Sequence, residues 1–283
     1  MTLNTYDTEC SLAIVEAEIA FLAPCERRPV FHDTPSDKDF LPLEGHIVPI
    51  SAIHDERMTF TLDRHGIEII HLTGPLEYQP AGEGRTAYLR ALEEIVAETT
   101  GAVKVVALGN GVVRRSERSM RHSLDGTTVL GRFAHCDFSS SAAGSRFWVE
   151  HLLPGGEAQK RLARRYAIYN VWRCLTNPPQ DTPLAFCEPA SVLSKDVVGC
   201  DQVITARDGS TIRFELSLYH YNPAQHWFYF PNLGRNDLLV FTGYDSDPTR
   251  PQGVAHAAFT DPNCSEDVPP RESIDERLIA FFD

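Results

Sequence analysis

His135, Cys136 and Asp137 stand in a row. In an extended chain, residues i and i+2 project to the same side, so the imidazole and the carboxylate converge while Cys136 turns away. Such a pair, joined by a distant histidine, makes the two-histidine, one-carboxylate set that binds iron(II) and leaves positions open on it. His256 is the candidate third ligand, in the apolar run Val254-Ala255-His256-Ala257-Ala258-Phe259. Arg271-Glu272-Ser273 follows it. A guanidinium grips a carboxylate bidentately and a hydroxyl adds one more hydrogen bond, which suits the far carboxylate of 2-oxoglutarate. Taken singly, each piece has a plainer reading: a solvated His with a turn Asp, a core histidine at 256, a Ser273 that caps a helix. The order of the pieces carries the argument. The rival histidines His220 and His226 have no Arg-x-Ser at a comparable distance downstream.

Positioning such a set needs a rigid scaffold, and the sequence reads mainly as short strands. Candidates lie at 46–53, 58–63, 67–72, 103–108, 111–115, 127–134, 146–152, 167–174, 203–206, 211–219, 226–231, 238–243 and 253–259. Alternation is cleanest where Ile212, Phe214, Leu216 and Leu218 oppose Arg213, Glu215 and Ser217. Asp208-Gly209 just before them reads as a hairpin turn. Three helices are expected. Residues 85–99 place Leu89, Leu92, Ile95 and Val96 at helical spacing, with Gly101 as a stop. Residues 156–167 follow Gly155-Gly156. Residues 273–281 open with the capping-box spacing Ser273-x-x-Glu276. The polar, Pro-rich residues 24–49 read as a surface excursion. Many short strands with few helices between them imply an antiparallel barrel or sandwich. The expected fold is mainly β, a cupin-like jelly roll (double-stranded β-helix) with flanking helices and an N-terminal α+β extension. The expected organisation is one domain over 1–283: an extension over 1–100, then a jelly-roll core over 101–283 with a C-terminal helix.

Composition narrows the function. The chain has 283 residues, 26 basic against 39 acidic, and a net charge of −13. An acidic surface repels phosphate backbones and anionic lipid, which argues against nucleic-acid and membrane-surface partners. No apolar run approaches the ~18 residues of a membrane span. The stretch from Cys10 to Leu22 carries Glu16 and Glu18 with no Lys or Arg before it, a poor signal peptide. The seven cysteines form no Cys-x-x-Cys pair, so reduced thiols in a cytoplasmic protein are expected and a cysteine-built zinc site is not.

Longer segments add a resemblance. They are Tyr169-Asn170-Val171-Trp172-Arg173, Pro178-Pro179-Gln180-Asp181-Thr182-Pro183-Leu184-Ala185, Trp227-Phe228-Tyr229-Phe230-Pro231, Leu239-Val240-Phe241 with Tyr244-Asp245-Ser246, and His256 through Arg277. Together they resemble the hydroxylase/desaturase family of iron(II)- and 2-oxoglutarate-dependent oxygenases over roughly residues 103–283. Its members include fungal natural-product hydroxylases, a gibberellin desaturase and the hydroxylating component of cephamycin biosynthesis. The resemblance implies iron at the mouth of a double-stranded β-helix, held by His135, Asp137 and His256. It implies that Arg271 and Ser273 hold the distal carboxylate of 2-oxoglutarate. Thr242 and Phe138 depart from the family pattern, where a Lys and a polar residue are expected, and both bear on the substrate pocket.

Other residues admit two readings. Asn170, Trp172 and Arg173 either line the cavity, with Asn170 or Arg173 touching 2-oxoglutarate or substrate, or Trp172 is core and Arg173 pairs with an acid such as Asp181. Trp227 is either packing or a substrate-stacking platform. Arg115, with Arg114, either steers an acidic substrate or is a charged strand end. The expected activity is an oxygenase (a non-haem iron dioxygenase) using O2 and 2-oxoglutarate. It would hydroxylate, desaturate or oxidatively cyclise a small, natural-product-like molecule, releasing succinate and CO2. The alternatives are a cupin-like metal enzyme that does not use 2-oxoglutarate and a non-catalytic jelly-roll binding module.

Overall fold

The computed structural model describes residues 13–32, 36–54, 59–109, 111–119, 131–205 and 209–283. In chain order the elements are β1 (Ala13–Leu22), β2 (Val30–His32), β3 (Leu43–Ala52), α1 (Leu62–His65), β4 (Ile67–His71), α2 (Gly82–Thr100), β5 (Lys104–Ala107) and β6 (Val112–Arg115). Then come β7 (His135–Cys136), α3 (Ala142–Leu152), α4 (Gly155–Leu162), β8 (Tyr166–Cys174), β9 (Leu184–Cys187), β10 (Val197–Thr205) and β11 (Thr211–Tyr219). The last are β12 (Trp227–Tyr229), β13 (Asp237–Asp245), β14 (His256–Ala258) and β15 (Glu272–Phe281).

The strands form two sheets. One runs β1-β3-β12-β9-β14-β7-β11-β10-β2, the other β4-β13-β8-β15-β5, with β6 also paired to β15. Neighbours are antiparallel except at β2–β10 and β3–β12. The sheets face each other, because Phe186 and Phe228 of the first share one buried cluster with Trp172, Leu239 and Phe241 of the second. This is the jelly-roll architecture expected from the strand pattern.

The second sheet is covered outside by α2. Tyr88, Leu92 and Val96 recur every four residues, one stripe of a 3.6-residue helix, and bury against Ala167, Tyr169, Leu278 and Ala280. Gly101 ends α2 with φ 70°, and its N–H bonds Ala97 O.

Several expectations need correction. Residues 273–281 form not the expected C-terminal helix but β15, which lies between β8 and both β5 and β6. Both faces are buried, so its apolar residues are not confined to alternate positions, and Ser273 faces inward rather than capping a helix. Residues 146–152 lie in helix α3, not a strand. The basic helix ends at Leu162, short of 167, because the chain enters β8 at Tyr166. Residues 59–63 of the expected strand at 58–63 contain the start of α1 instead, and residue 58 lies outside the described residues. The excursion at 24–49 holds β2 and most of β3, and β1 with β3 continues the nine-stranded sheet. The β10–β11 hairpin forms, and Gly209 there has φ 81°. Asp208, and residues 127–130 of the expected strand at 127–134, lie outside the described residues.

Candidate metal and cosubstrate site

The site begins where β7 meets β14. His135 pairs with His256 in the antiparallel register, and their ring centroids are 4.3 Å apart. Each ring is tied back at one nitrogen. His135 Nδ1 lies 2.8 Å from Phe133 O, and His256 Nδ1 lies 3.0 Å from Val254 O. A neutral imidazole that donates from Nδ1 to a carbonyl carries its free lone pair on Nε2. Burial holds both rings neutral: it pushes His135 down to about 3, with the neighbouring His256 adding to the effect, and it lowers His256.

Asp137 completes the cluster. One ligand atom from each of His135, Asp137 and His256 can be chosen so that all lie within 4.8 Å of one another. Asp137 Oδ1 is 3.7 Å from His135 Nε2. Burial alone would raise the Asp137 carboxyl. The charge of Arg277, helped by the hydrogen bond from Asn170, outweighs it and holds the group well below the usual carboxylate range. Two neutral nitrogens and one carboxylate oxygen, gathered in one cluster, match the donor set of a ferrous site with open positions.

The inner face of β15 carries a polar row. Ser273, Asp275 and Arg277 pair in register with Cys174, Trp172 and Asn170 of β8. Arg271 lies just before that strand and is 1% exposed. Its backbone N–H donates to Asp181 Oδ1 at 2.8 Å, its Nη1 donates to Thr182 O, and its guanidinium lies 5.7 Å from the Trp172 ring centroid. Burial pulls the guanidinium down to about 10. Arg271 Nε and Ser273 Oγ are buried with no hydrogen-bond partner among the described residues. Orphaned buried polar atoms are rare and costly, so a cationic donor and a hydroxyl left open mark a place for an anionic ligand. The residues present therefore fit both iron(II) and a carboxylate cosubstrate. Asp181 and Thr182 also line a cavity of about 440 Å³ that Arg118, Arg132 and Thr260 help to form.

The other residues singled out in the sequence divide. Trp172 stands on the inner wall with Phe186 and Phe241, whose ring centroids are 6.3 and 4.9 Å from that of His256. Asn170 faces the cluster, but its Nδ2 donates to Asp137 Oδ2 at 2.6 Å, and its Oδ1 has no partner among the described residues. Phe138 turns into a separate cluster with Trp148, Val149 and Tyr244. Arg173 lies on the opposite face of β8 and donates to Arg235 O and Leu76 O, neither toward the site nor to Asp181. Trp227 sits on the opposite sheet face from Phe186 and His256, against Phe21. Arg115 pairs with Glu272, on the outer face of the strand whose inner face carries Ser273. Strict alternation along each strand places these last three away from the triad.

Sequence reasoning missed Asp275 and Arg277. Arg277 reaches Asp137 Oδ2 from Nη2 at 2.7 Å and from Nε at 2.8 Å, and its Nη2 lies 2.8 Å from Asp275 Oδ2. Read as a helix, this segment scatters Arg271, Ser273, Asp275 and Arg277 around an axis. Their unbroken spacing of two was the signal for a strand with one polar face.

A family model described as Oxidoreductase/YMDC permease-like domain matches residues 19–281. The chain belongs to this oxidoreductase family. Among its curated relatives is the Fe(II)/2-oxoglutarate-dependent dioxygenase nvfI of Aspergillus novofumigatus (strain IBT 16806), 28% identical over 242 residues, 83% of each chain. The hydroxylase/desaturase efuI of Hormonema carpetanum is 24% identical over 253 residues, again 83% of each. The solved structure of the iron and alpha-ketoglutarate-dependent endoperoxidase NvfI superposes with a TM-score of 0.77 at 23% identity, covering 95% of this chain and 98% of that one. The match to the hydroxylase/desaturase efuI, at 83% of this chain, thus covers more than residues 103–283. No helix among the described residues is long and apolar enough to cross a membrane.

Proposed function

We propose that this oxidoreductase is an iron(II)- and 2-oxoglutarate-dependent oxygenase acting on a small, largely apolar molecule. In this reading His135, Asp137 and His256 hold the metal, and Arg271 with Ser273 holds the distal carboxylate of 2-oxoglutarate. The observation that carries it is the coexistence, within one barrel, of the His-Asp-His cluster and of Arg271 Nε and Ser273 Oγ, which have no partner among the described residues. Iron and 2-oxoglutarate, when bound, supply the oxidising power for hydroxylation, desaturation or oxidative cyclisation, with O2 as the oxidant and succinate and CO2 as by-products.

The protein's own residues bind, orient and exclude water. Phe133 O and Val254 O fix the two imidazoles in one tautomer. Arg271 immediately precedes β15, and its backbone N–H and Nη1 are already held by Asp181 Oδ1 and Thr182 O, so a keto-diacid is gripped at its far end without reorganisation of the barrel. Phe186, Phe241 and Trp172 present an apolar wall beside His256, which favours a hydrocarbon skeleton over a charged one.

Anaerobic titration of the metal-free protein with iron(II), then with 2-oxoglutarate, tests the reading. One iron per chain is expected, followed by the weak metal-to-ligand charge-transfer band of a chelated keto acid. Aerobic incubation should then release succinate. A protein that binds no stoichiometric iron, or that binds iron but gives neither band nor succinate, overturns it.

A further inference from the structure

Asp137 carries an arrangement that its role as a ligand does not by itself require. Two N–H groups donate to a single carboxylate oxygen, Oδ2: Arg277 Nε at 2.8 Å and Asn170 Nδ2 at 2.6 Å, with Arg277 Nη2 in ion-pair contact at 2.7 Å. The other oxygen, Oδ1, is the one that faces His135 Nε2. Arg277 is itself held, with its Nη2 2.8 Å from Asp275 Oδ2. Asn170 Nδ2 also reaches Asp275, at 3.3 Å to Oδ1. Every member of this network is buried on the inner face of β8 or β15, apart from Asp137 itself, whose side chain is 13% exposed.

We infer that Arg277 is a positioning residue, which together with Asn170 saturates Asp137 Oδ2 so that the carboxylate offers only Oδ1 to the metal. The inference rests on the metal site proposed above. Two physical consequences follow from the geometry. A carboxylate free to rotate can chelate through both oxygens and so occupy a coordination position that O2 or 2-oxoglutarate needs. Donors locked onto Oδ2 make that rotation cost two charge-assisted hydrogen bonds. The guanidinium also neutralises a carboxylate that would otherwise stand buried and unpaired before the metal arrives, which preserves a formed site in the metal-free protein. Outer partners of this kind usually change metal affinity by about 10–100-fold when removed. A plain structural ion pair would affect folding and leave the coordination chemistry alone.

The test uses cobalt(II) as a spectroscopic probe on the full chain, under anaerobic conditions. Wild type, Arg277→Met, Arg277→Lys and Asn170→Ala are compared by dissociation constant and by the intensity and position of the cobalt ligand-field bands. Circular dichroism checks that each variant is folded. Arg277→Met is expected to weaken cobalt binding about 10–100-fold and to change the band intensity, as a changed coordination number would. Arg277→Lys keeps the charge but not the two-pronged reach, so it should fall between wild type and Arg277→Met. Asn170→Ala should shift the bands in the same direction by less. If Arg277→Met does not fold, Arg277→Lys decides: a weakening of threefold or more with altered bands supports the inference. A folded Arg277→Met, or in its absence Arg277→Lys, with wild-type affinity and bands overturns it while leaving the metal site standing. Wild-type protein that binds no cobalt overturns the metal site and this inference with it.

Discussion

His135 and His256 face each other across two of the shortest strands in the barrel, and the pairing, not the length of either strand, sets their separation. β7 is two residues long and β14 three. Each is pinned on its far side, β7 by β11 and β14 by β9. Both histidines turn Nδ1 onto the carbonyl two residues earlier in their own chain segment, so two strands deliver the same half-site in mirrored directions. A site assembled this way can exist before any ligand binds, because the sheet supports it.

Removal of one ligand should therefore abolish metal binding without collapsing the sheet. For Asp137→Ala or His256→Ala we expect iron affinity to fall by more than the ~10–100-fold typical of a lost outer partner, since an inner one is gone. Succinate formation should drop to background. Isothermal titration with iron(II) under argon, beside a circular dichroism melt, measures both. Retained turnover in Asp137→Ala would remove this residue from the metal.

Gly131 lies under the His135 ring. A Cβ at that position would stand 2.6 Å from His135 Cε1 and 3.3 Å from Nε2, closer than packed atoms tolerate. Its backbone is fixed, because Gly131 O accepts from Ala258 N at 2.7 Å. The ring must yield instead. Gly131→Ala should keep the fold and lose metal affinity by about 10–100-fold, the penalty of a misoriented imidazole. Wild-type affinity in the folded variant would show that the ring has room to move.

How far the sequence revealed this site follows from the two sheets. Its strands stood out where one face is polar, as in the Ile212–Leu218 alternation of β11. β15 hid itself because α2 buries its outer face while charged residues line its inner one, which reverses the usual sign of the pattern. His135, Asp137 and His256 were legible from residue type and order. Asp275 and Arg277 were not, because a segment read as a helix puts neither beside Arg271. Arg173 follows Trp172 in one segment and Trp227 precedes Phe228 in another, yet one step along a strand turns a side chain to the other face. Resemblance locates a segment, while register decides which of its residues face the cavity.

Arg271 is the next test. Among the described residues, neither its Nε nor the Ser273 hydroxyl of the proposed cosubstrate cradle has a hydrogen-bond partner. A charge-assisted hydrogen bond is worth about 1.5–3 kcal/mol. Arg271→Met should thus raise the KM for 2-oxoglutarate by about 10–100-fold with little change in iron affinity. Arg271→Lys should recover part of the loss, and Ser273→Ala should cost less than either. Steady-state succinate assays over a 2-oxoglutarate series give the comparison, and an unchanged KM in Arg271→Met would place the cosubstrate elsewhere.

Behind the polar row, Glu276 points the other way and meets Arg85 of α2 in a pair of hydrogen bonds, one of them 2.9 Å. The Glu276 side chain is fully buried and that of Arg85 is 14% exposed, so the carboxylate end of the pair is shielded from water. Breaking such a pair on one side leaves a buried charge, and Arg85→Met should destabilise the protein by about 3–5 kcal/mol. Burial already holds the Glu276 carboxyl above its ordinary value, with Arg85 pulling the other way. A carboxyl whose folded-state pKa exceeds its unfolded one loses stability as pH rises through that window. The cost of Arg85→Met should accordingly be smallest near pH 5 and grow toward neutral pH. The double variant Arg85→Met with Glu276→Gln removes the charge and should regain much of the loss, with no such pH dependence. Urea melts of the three proteins at both pH values measure this. Equal, pH-independent losses in the single and double variants would show that the helix is held by its apolar stripe alone.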